Sequence, residues 1–294
     1  MTVAVGYLAG KCGQSPLHLA AEAAKTLKTS LTVVTVVPKP WMTPSIARID
    51  AEYAQYAEQL AADSAKAAKE CIDSLGAGVE VTFHKVAHRS VSGGLLAAIE
   101  ELEAEVLVLG SAADGKLGQV VVGSTADRLL HSSPIPLTIS PRGYRASKAG
   151  GLTRITAAYP GTPETLHVVE RVAALAERLD VPMRVVTFAV RGRTMYPPEV
   201  GLRTEDSILE QLATHAREAL AQLKADGVIG KDVELQVVTG NGWDQAIDAA
   251  DWQDGDLLAV GTSPAAGVIA RVFLGSRGSK ILRHSPVPVL VLPG

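Results

Sequence analysis

The segment Gly123-Ser-Thr-Ala-Asp-Arg-Leu-Leu-His-Ser-Ser-Pro-Ile-Pro-Leu returns near the C-terminus as Gly275-Ser-Arg-Gly-Ser-Lys-Ile-Leu-Arg-His-Ser-Pro-Val-Pro-Val. Both Gly-Ser pairs and both Pro-x-Pro units (Pro134/Pro136 and Pro286/Pro288) align at one shift of 152 residues. The same shift carries Val3–Tyr7 onto Ile155–Tyr159, and Val106–Gly110 meets Leu257–Gly261 at a shift of 151. A fixed long period decides architecture before local propensity does. The 294 residues therefore read as a tandem duplication, with one unit over 1–143 and a second over 152–294. Residues 144–151, YRASKAGG, are polar, small and Gly-rich, as a short linker should be.

Within each unit short apolar runs alternate with longer segments of helical period. In the first the runs are Val3–Tyr7, Leu31–Val37, Val79–Val86, Val106–Gly110 and Ile135–Ile139. In the second they are Arg154–Tyr159, Met183–Phe188, Val233–Val238, Leu257–Gly261 and Val287–Leu292. Val-rich runs without polar alternation are what parallel strands covered on both faces look like. Helices are expected over Pro16–Leu27, Ser45–Leu75, Ser92–Leu102 and Ser124–His131, with matching stretches in the second half. Ala51–Leu75, free of Gly and Pro, is the strongest of these. Five strands with intervening helices predict an α/β fold: two tandem, doubly wound, Rossmann-like domains, each on a five-stranded parallel sheet.

Composition removes several function classes. Lys+Arg number 28 against 31 Asp+Glu, a net charge of −3, which leaves no basic footprint for nucleic acid. Cys12 and Cys71 form no CxxC or Cys/His metal spacing, and so few cysteines fit a reducing cytoplasm. No charged-then-apolar leader opens the chain and no apolar run approaches the roughly 20 residues a bilayer requires, so neither export nor a membrane partner is expected.

In an open parallel sheet ligands bind beyond the carboxyl ends of the strands, where strand order reverses. The loop after the fourth run, Gly110-Ser-Ala-Ala113-Asp-Gly-Lys-Leu-Gly-Gln-Val-Val-Val-Gly123-Ser124-Thr125, is the informative one. Its small residues let backbone N–H groups approach an anion, and Gly123-Ser124 opens a helix whose N-terminus favours phosphate. The same residues also read as tight turns at Gly110 and Gly123 with Ser124 as an N-cap.

Five-stranded units that end in a Gly-rich loop, Gly-Ser, a short helix and a Pro-x-Pro strand resemble the universal stress protein family, here over the whole chain as a tandem pair. The family's nucleotide-binding members carry Gly-x2-Gly-x9-Gly-Ser/Thr, with amides and a hydroxyl on the phosphates of ATP. The resemblance thus implies ATP or another adenine nucleotide at Gly110, Ala113, Gly123, Ser124 and Thr125, with Ala113 standing at the second Gly. In the second unit Gly261, Gly275 and Ser276 match, but Pro264 stands at the second Gly and the gap is one residue longer. Proline offers no N–H, so the first unit is the better candidate. Relatives also place an Asp after the first strand, whereas this chain has Gly6-Tyr7 and Ala158-Tyr159. Tyr7 either stacks on an adenine or closes the sheet against the helix layer. Lys11 faces a phosphate or solvent.

Other features carry less. Ser92-Gly93-Gly94 follows the third strand and continues Leu-Leu-Ala-Ala rather than toward a pyrophosphatase motif, so it reads as a helix start capped by Ser90 or Ser92. His84 and His88 lack a third ligand. No nucleophile elbow occurs and no acid–base constellation is visible, so no enzyme is expected. The loops Pro38–Pro44 and Arg191–Pro198 bring Pro, aromatic and Met residues to the carboxyl edge, as a lid, a partner contact or a stiffened surface loop. Trp243 reads as the anchor of a helix start. Relatives dimerise through the last strand, which implies that the two halves pair with each other across a pseudo-twofold axis. The reading that results is a cytoplasmic stress-response protein acting by binding, with a homodimer and an unidentified protein partner as further possibilities. Its rival is a scaffold of the same fold without nucleotide.

Overall fold

A computed structural model of the chain describes residues 2–39, 47–113, 115–162, 165–190, 202–264, 272–273 and 276–293. The first unit contains β1 (Thr2–Gly6), α1 (Ser15–Leu27), β2 (Ser30–Pro38), α2 (Ala47–Leu75), β3 (Val81–His88), α3 (Val91–Glu101), β4 (Ala104–Gly110), α4 (Ser124–Leu130) and β5 (Leu137–Ser140). The second contains β6 (Arg154–Ala158), α5 (Leu166–Leu179), β7 (Met183–Val190), α6 (Leu202–Ala225), β8 (Glu234–Gly240), α7 (Trp243–Asp248), β9 (Asp256–Gly261), β10 (Ser263–Pro264), β11 (Val272–Phe273), α8 (Ser276–His284) and β12 (Val289–Leu292).

Ten strands form one sheet in the order β3-β2-β1-β4-β5-β12-β9-β6-β7-β8. Each half is parallel, and the halves meet where β5 and β12 pair antiparallel, with Leu137 opposite Val291, Thr138 opposite Leu290 and Ile139 opposite Val289. The two final strands thus cover each other, which removes two Val/Leu-rich edges from water. Layer position explains the apolar runs: Leu31 to Val37 of β2 are buried without a break, while the outer strand β3 alternates.

The repeated Ser-Pro-x-Pro has a structural reason. Ser133 Oγ donates to Ile135 O (2.8 Å) and accepts from its amide, and Ser285 does the same with Val287 (2.8 Å). The carbonyls of Pro136 and Pro288 then accept from Leu107 N (3.0 Å) and Leu258 N (2.9 Å), so each proline still supplies its acceptor to the ladder.

Ser90 caps α3, its hydroxyl accepting from Gly93 N at 3.2 Å. A Cβ on Gly93 would lie 2.2 Å from His88 Cε1, and one on Gly94 2.6 Å from Val36 Cγ1, so Ser92-Gly-Gly is a packing motif that seats α3 against β2 and β3. His84 Nε2 sits 3.5 Å from Glu101 Oε2, and His88 Nδ1 lies 2.9 Å from Ser90 O, so each has its own neighbour. Trp243 opens α7 behind Gly242 and packs partly buried against the core, with Lys280 Nζ 5.9 Å from its ring centre. The loop expected over Pro38–Pro44 lies outside the described residues from residue 40 on, and the one over Arg191–Pro198 entirely so.

The segment 144–151 is docked rather than tethered. Glu22 of α1, 2% exposed, accepts from the Tyr144 hydroxyl and from Ser147 N (3.1 Å). Leu152 N donates to Thr26 Oγ1 (3.1 Å), and Lys148 N reaches Asp254 Oδ2 of the second unit (2.8 Å).

Candidate functional site

Strand order in the first unit reverses between β1 and β4, and a cavity of about 540 Å³ opens there at the strands' carboxyl ends. Val34, Val36, Leu95 and Leu109 supply apolar wall, and the loop after β4, the start of α4 and the β1–α1 loop supply the polar rim. Gly6, Tyr7, Gly110, Ala113, Gly123, Ser124 and Thr125 all line it, so the sequence-derived residues of the first unit converge on one space.

Close packing explains the glycines. A Cβ on Gly6 would meet Leu95 and Leu109 at 3.2–3.3 Å, and one on Gly110 would meet the Pro16 ring at 3.2 Å. Ala113 is exposed and is not among the non-glycine residues with positive φ, so the alanine costs no strain. Part of the loop is spent on itself. Ser111 Oγ donates to Ser140 O (2.7 Å) and accepts from Val121 N (3.1 Å), while Ala112 N donates to Val121 O (2.9 Å) and Gly118 N to Arg142 O (2.8 Å). These amides brace the loop and are not offered to a ligand.

Two readings that the sequence left open are narrowed by the structure. Ser124 is not the N-cap of α4: Gly123 holds that position in an extended conformation (φ −81°, ψ 170°), and no side chain caps the turn from there. Gly123, Ser124, Thr125 and Ala126 at this helix start line the cavity, with no side-chain cap from the N-cap position. Tyr7 does not serve as an open stacking platform. It is 7% exposed within the core cluster around Leu17 and Leu31, with its amide on Val34 O (3.0 Å) and its carbonyl accepting from Thr35 Oγ1 (3.1 Å). Burial, then Cys12 and Cys71, push its hydroxyl pKa upward. Tyr159 occupies the matching place, 7% exposed, its carbonyl accepting from Thr187 Oγ1 (2.6 Å). Closing the sheet against the helix layer is the role both perform.

In the second unit the corresponding loop takes another course. Gly261 ends β9, where a Cβ would fall 2.1 Å from Val168 Cγ2, so this glycine admits α5. Pro264 lies in β10 and pairs antiparallel with Val272 of β11. Ser276 opens α8, and Gly275 lies outside the described residues.

Of the basic residues at the first cavity the sequence singled out Lys11 alone; Arg142 and Arg145 escaped it. Lys11, Arg142 and Arg145 line the cavity, in a chain whose net charge is −3. The Arg142 guanidinium donates to Gly115 O and holds the loop. Arg145 Nη1 lies 2.8 Å from His18 Nε2 and donates to Gln14 Oε1 at 3.2 Å. His18, 7% exposed, has its pKa lowered by burial and then by the Arg145 charge. The signal that was present is His18 and Glu22, four apart on the otherwise Leu/Ala-rich α1: two polar groups on a buried helix face ask for partners.

Comparison with known proteins follows the same division into halves. The model of the Universal stress protein family matches residues 1–141 and 151–293. Universal stress protein Rv2319c of Mycobacterium tuberculosis is 61% identical over 294 residues, all of each chain. The crystal structure of a universal stress protein from Archaeoglobus fulgidus superimposes with a TM-score of 0.60 at 16% identity, covering 99% of this chain and 98% of that one. A universal stress protein crystallised in complex with cAMP is 24% identical over 48% of this chain and 97% of that one, with a TM-score of 0.30.

Proposed function

The chain belongs to the universal stress protein family as a tandem pair of its domains, and from that membership we propose a cytoplasmic stress-response protein that acts by binding, with an adenine nucleotide such as ATP in the first unit's cavity. The observation that carries this reading is one cavity of about 540 Å³ that unites apolar wall for a base, the uncapped first turn of α4 with Ser124 and Thr125, and three cationic side chains. Apolar wall suits a purine, and amides plus cations suit phosphates. The described lining of this cavity holds three cationic side chains and no carboxylate, which favours holding an anion over transferring a proton, and so a binding protein over an enzyme. The antiparallel β10–β11 ladder and Pro264 argue against an equivalent phosphate loop in the second unit. No helix among the described residues is long and apolar enough to cross a membrane.

Titration of ATP into the purified chain tests the proposal, with Gly123→Leu combined with Ser124→Leu as the blocked control. Binding that the control abolishes supports it. Absence of binding at millimolar ATP favours the second reading, a scaffold for another protein, which the self-bonded amides of Ala112 and Gly118 already favour.

A further inference from the structure

The first cavity gathers Lys11, Arg142 and Arg145, and its described lining contains no carboxylate. The three cations are not equivalent. Arg142 is committed to the Gly115 carbonyl and so braces the loop. Arg145 comes from the segment between the units and is exposed at the cavity. Both of its recorded contacts, His18 Nε2 at 2.8 Å and Gln14 Oε1 at 3.2 Å, use Nη1 alone. Its Nε and Nη2 have no acceptor among the described residues. A guanidinium presents five donors in a fixed fork, and two adjacent donors left open suit a phosphate in bidentate geometry.

The fork is also held in place. His18 and Gln14 lie at the start of α1, and the same segment is anchored one turn further on by Glu22, which accepts from the Tyr144 hydroxyl and Ser147 N. Little side-chain freedom then remains to be lost when an anion arrives, which lowers the cost of binding.

We propose that Arg145 is a specificity-determining residue of the first cavity, whose open Nε and Nη2 donors bind a phosphate of the ligand, so that the segment joining the two units takes part in the site. This inference rests on the nucleotide reading above and adds a residue and a preference for polyphosphate to it. Because Lys148 N of the same segment bonds Asp254 in the second unit, the group that reads the ligand belongs to the element that bridges both halves.

Isothermal titration of ATP and, separately, of inorganic tripolyphosphate into the full chain tests it, comparing the unaltered protein with Arg145→Gln, Arg145→Lys and Lys148→Gln. Loss of one charge-assisted contact should weaken ATP about 10- to 100-fold in Arg145→Gln. Arg145→Lys should retain more affinity than Arg145→Gln. Lys148→Gln, the same charge change in the same segment at a residue outside the cavity lining, should bind like the unaltered chain. Thermal unfolding of each variant separates a lost contact from a lost fold, since Gln and Lys can both still donate to His18. Arg145→Gln binding ATP within about twofold of the unaltered chain overturns the inference and leaves the nucleotide reading standing. Tripolyphosphate bound in an Arg145-dependent way without ATP bound supports the anion site and removes the adenine. Neither ligand bound at millimolar concentration overturns both.

Discussion

Replacing Glu22 with leucine removes the acceptor on which the inter-unit segment is hung. In the folded chain this carboxylate is 2% exposed and receives the Tyr144 hydroxyl and the Ser147 amide, and Ser147 is itself buried at 6%. Each buried donor left without an acceptor costs about 1–3 kcal/mol, so two cost roughly 2–6 kcal/mol. Leucine returns about 1–2 kcal/mol through its extra apolar burial. The net expectation is a loss of about 0–5 kcal/mol, centred on about 2.5 kcal/mol. Urea unfolding followed by far-UV circular dichroism should therefore show a lower midpoint with little change in slope. The double variant Glu22→Leu/Tyr144→Phe removes one stranded donor together with its acceptor and should recover about 1–3 kcal/mol. A second readout is local: once the segment loosens, trypsin should cut faster after the exposed Arg145 and Lys148. An unchanged midpoint in Glu22→Leu, or a double variant less stable than the single, would refute the reasoning that this pair of bonds fastens the segment.

Three further outcomes are expected. His18 has a pKa lowered from 6.5 by burial and by Arg145, so the unfolded chain takes up its proton first. Its contribution is present above about pH 6.5 and is lost as the pH falls through the lower folded value; neutral His18 has one lone pair, for the Arg145 guanidinium at Nε2 or the Ala146 amide 3.3 Å from Nδ1, and the imidazolium has none. Urea midpoints at pH 7.5 and 5.5 should differ by less in His18→Gln than in the unaltered chain, and equal differences contradict this. Arg184, 1% exposed, donates to Thr156 Oγ1 (3.2 Å), Gln236 Oε1 (3.1 Å) and Ala250 O (2.5 Å) and stacks 5.1 Å over Trp252, so Arg184→Ala leaves a hole and stranded acceptors. A loss of about 3–5 kcal/mol is expected, and calorimetry finding less than about 1 kcal/mol sinks the account of this cluster. Gly94→Ala places a Cβ 2.6 Å from Val36 and should cost about 1–3 kcal/mol, part of which Val36→Ala restores; additive losses in the double variant speak against the contact.

Much of this architecture was legible because it depends on short-range pattern and on repetition. The Val-rich runs Leu31–Val37 and Val106–Gly110 lie in β2 and β4, and the two Pro-x-Pro segments lead into the strands that meet at the seam. Strand ends were less legible. Val79–Val86 becomes Val81–His88, because the register with β2, Leu31 opposite Val81 through Pro38 opposite His88, sets where β3 stops. The Gly-rich loop was found, but not which of its amides are already occupied, since Ser140 at the end of β5 and Arg142 just after it reach the loop from another strand. Tyr7 and Tyr159 turn into the core because each sits where a helix covers the strand end, a matter of packing that the local sequence does not encode. The docking of Arg145 on His18 joins residues 127 positions apart. Local composition described that segment as small, polar and Gly-rich, and composition carries no information about such a partner.

The central claim, one nucleotide site in the first unit of a tandem chain, is most directly tested by stoichiometry. Native mass spectrometry of the full chain with ATP, alongside Gly123→Leu/Ser124→Leu, counts nucleotides per chain and reports oligomeric state in the same spectrum. The account predicts one ATP per chain and none in the variant. Two ATP per chain, or one that survives in the variant, would contradict it.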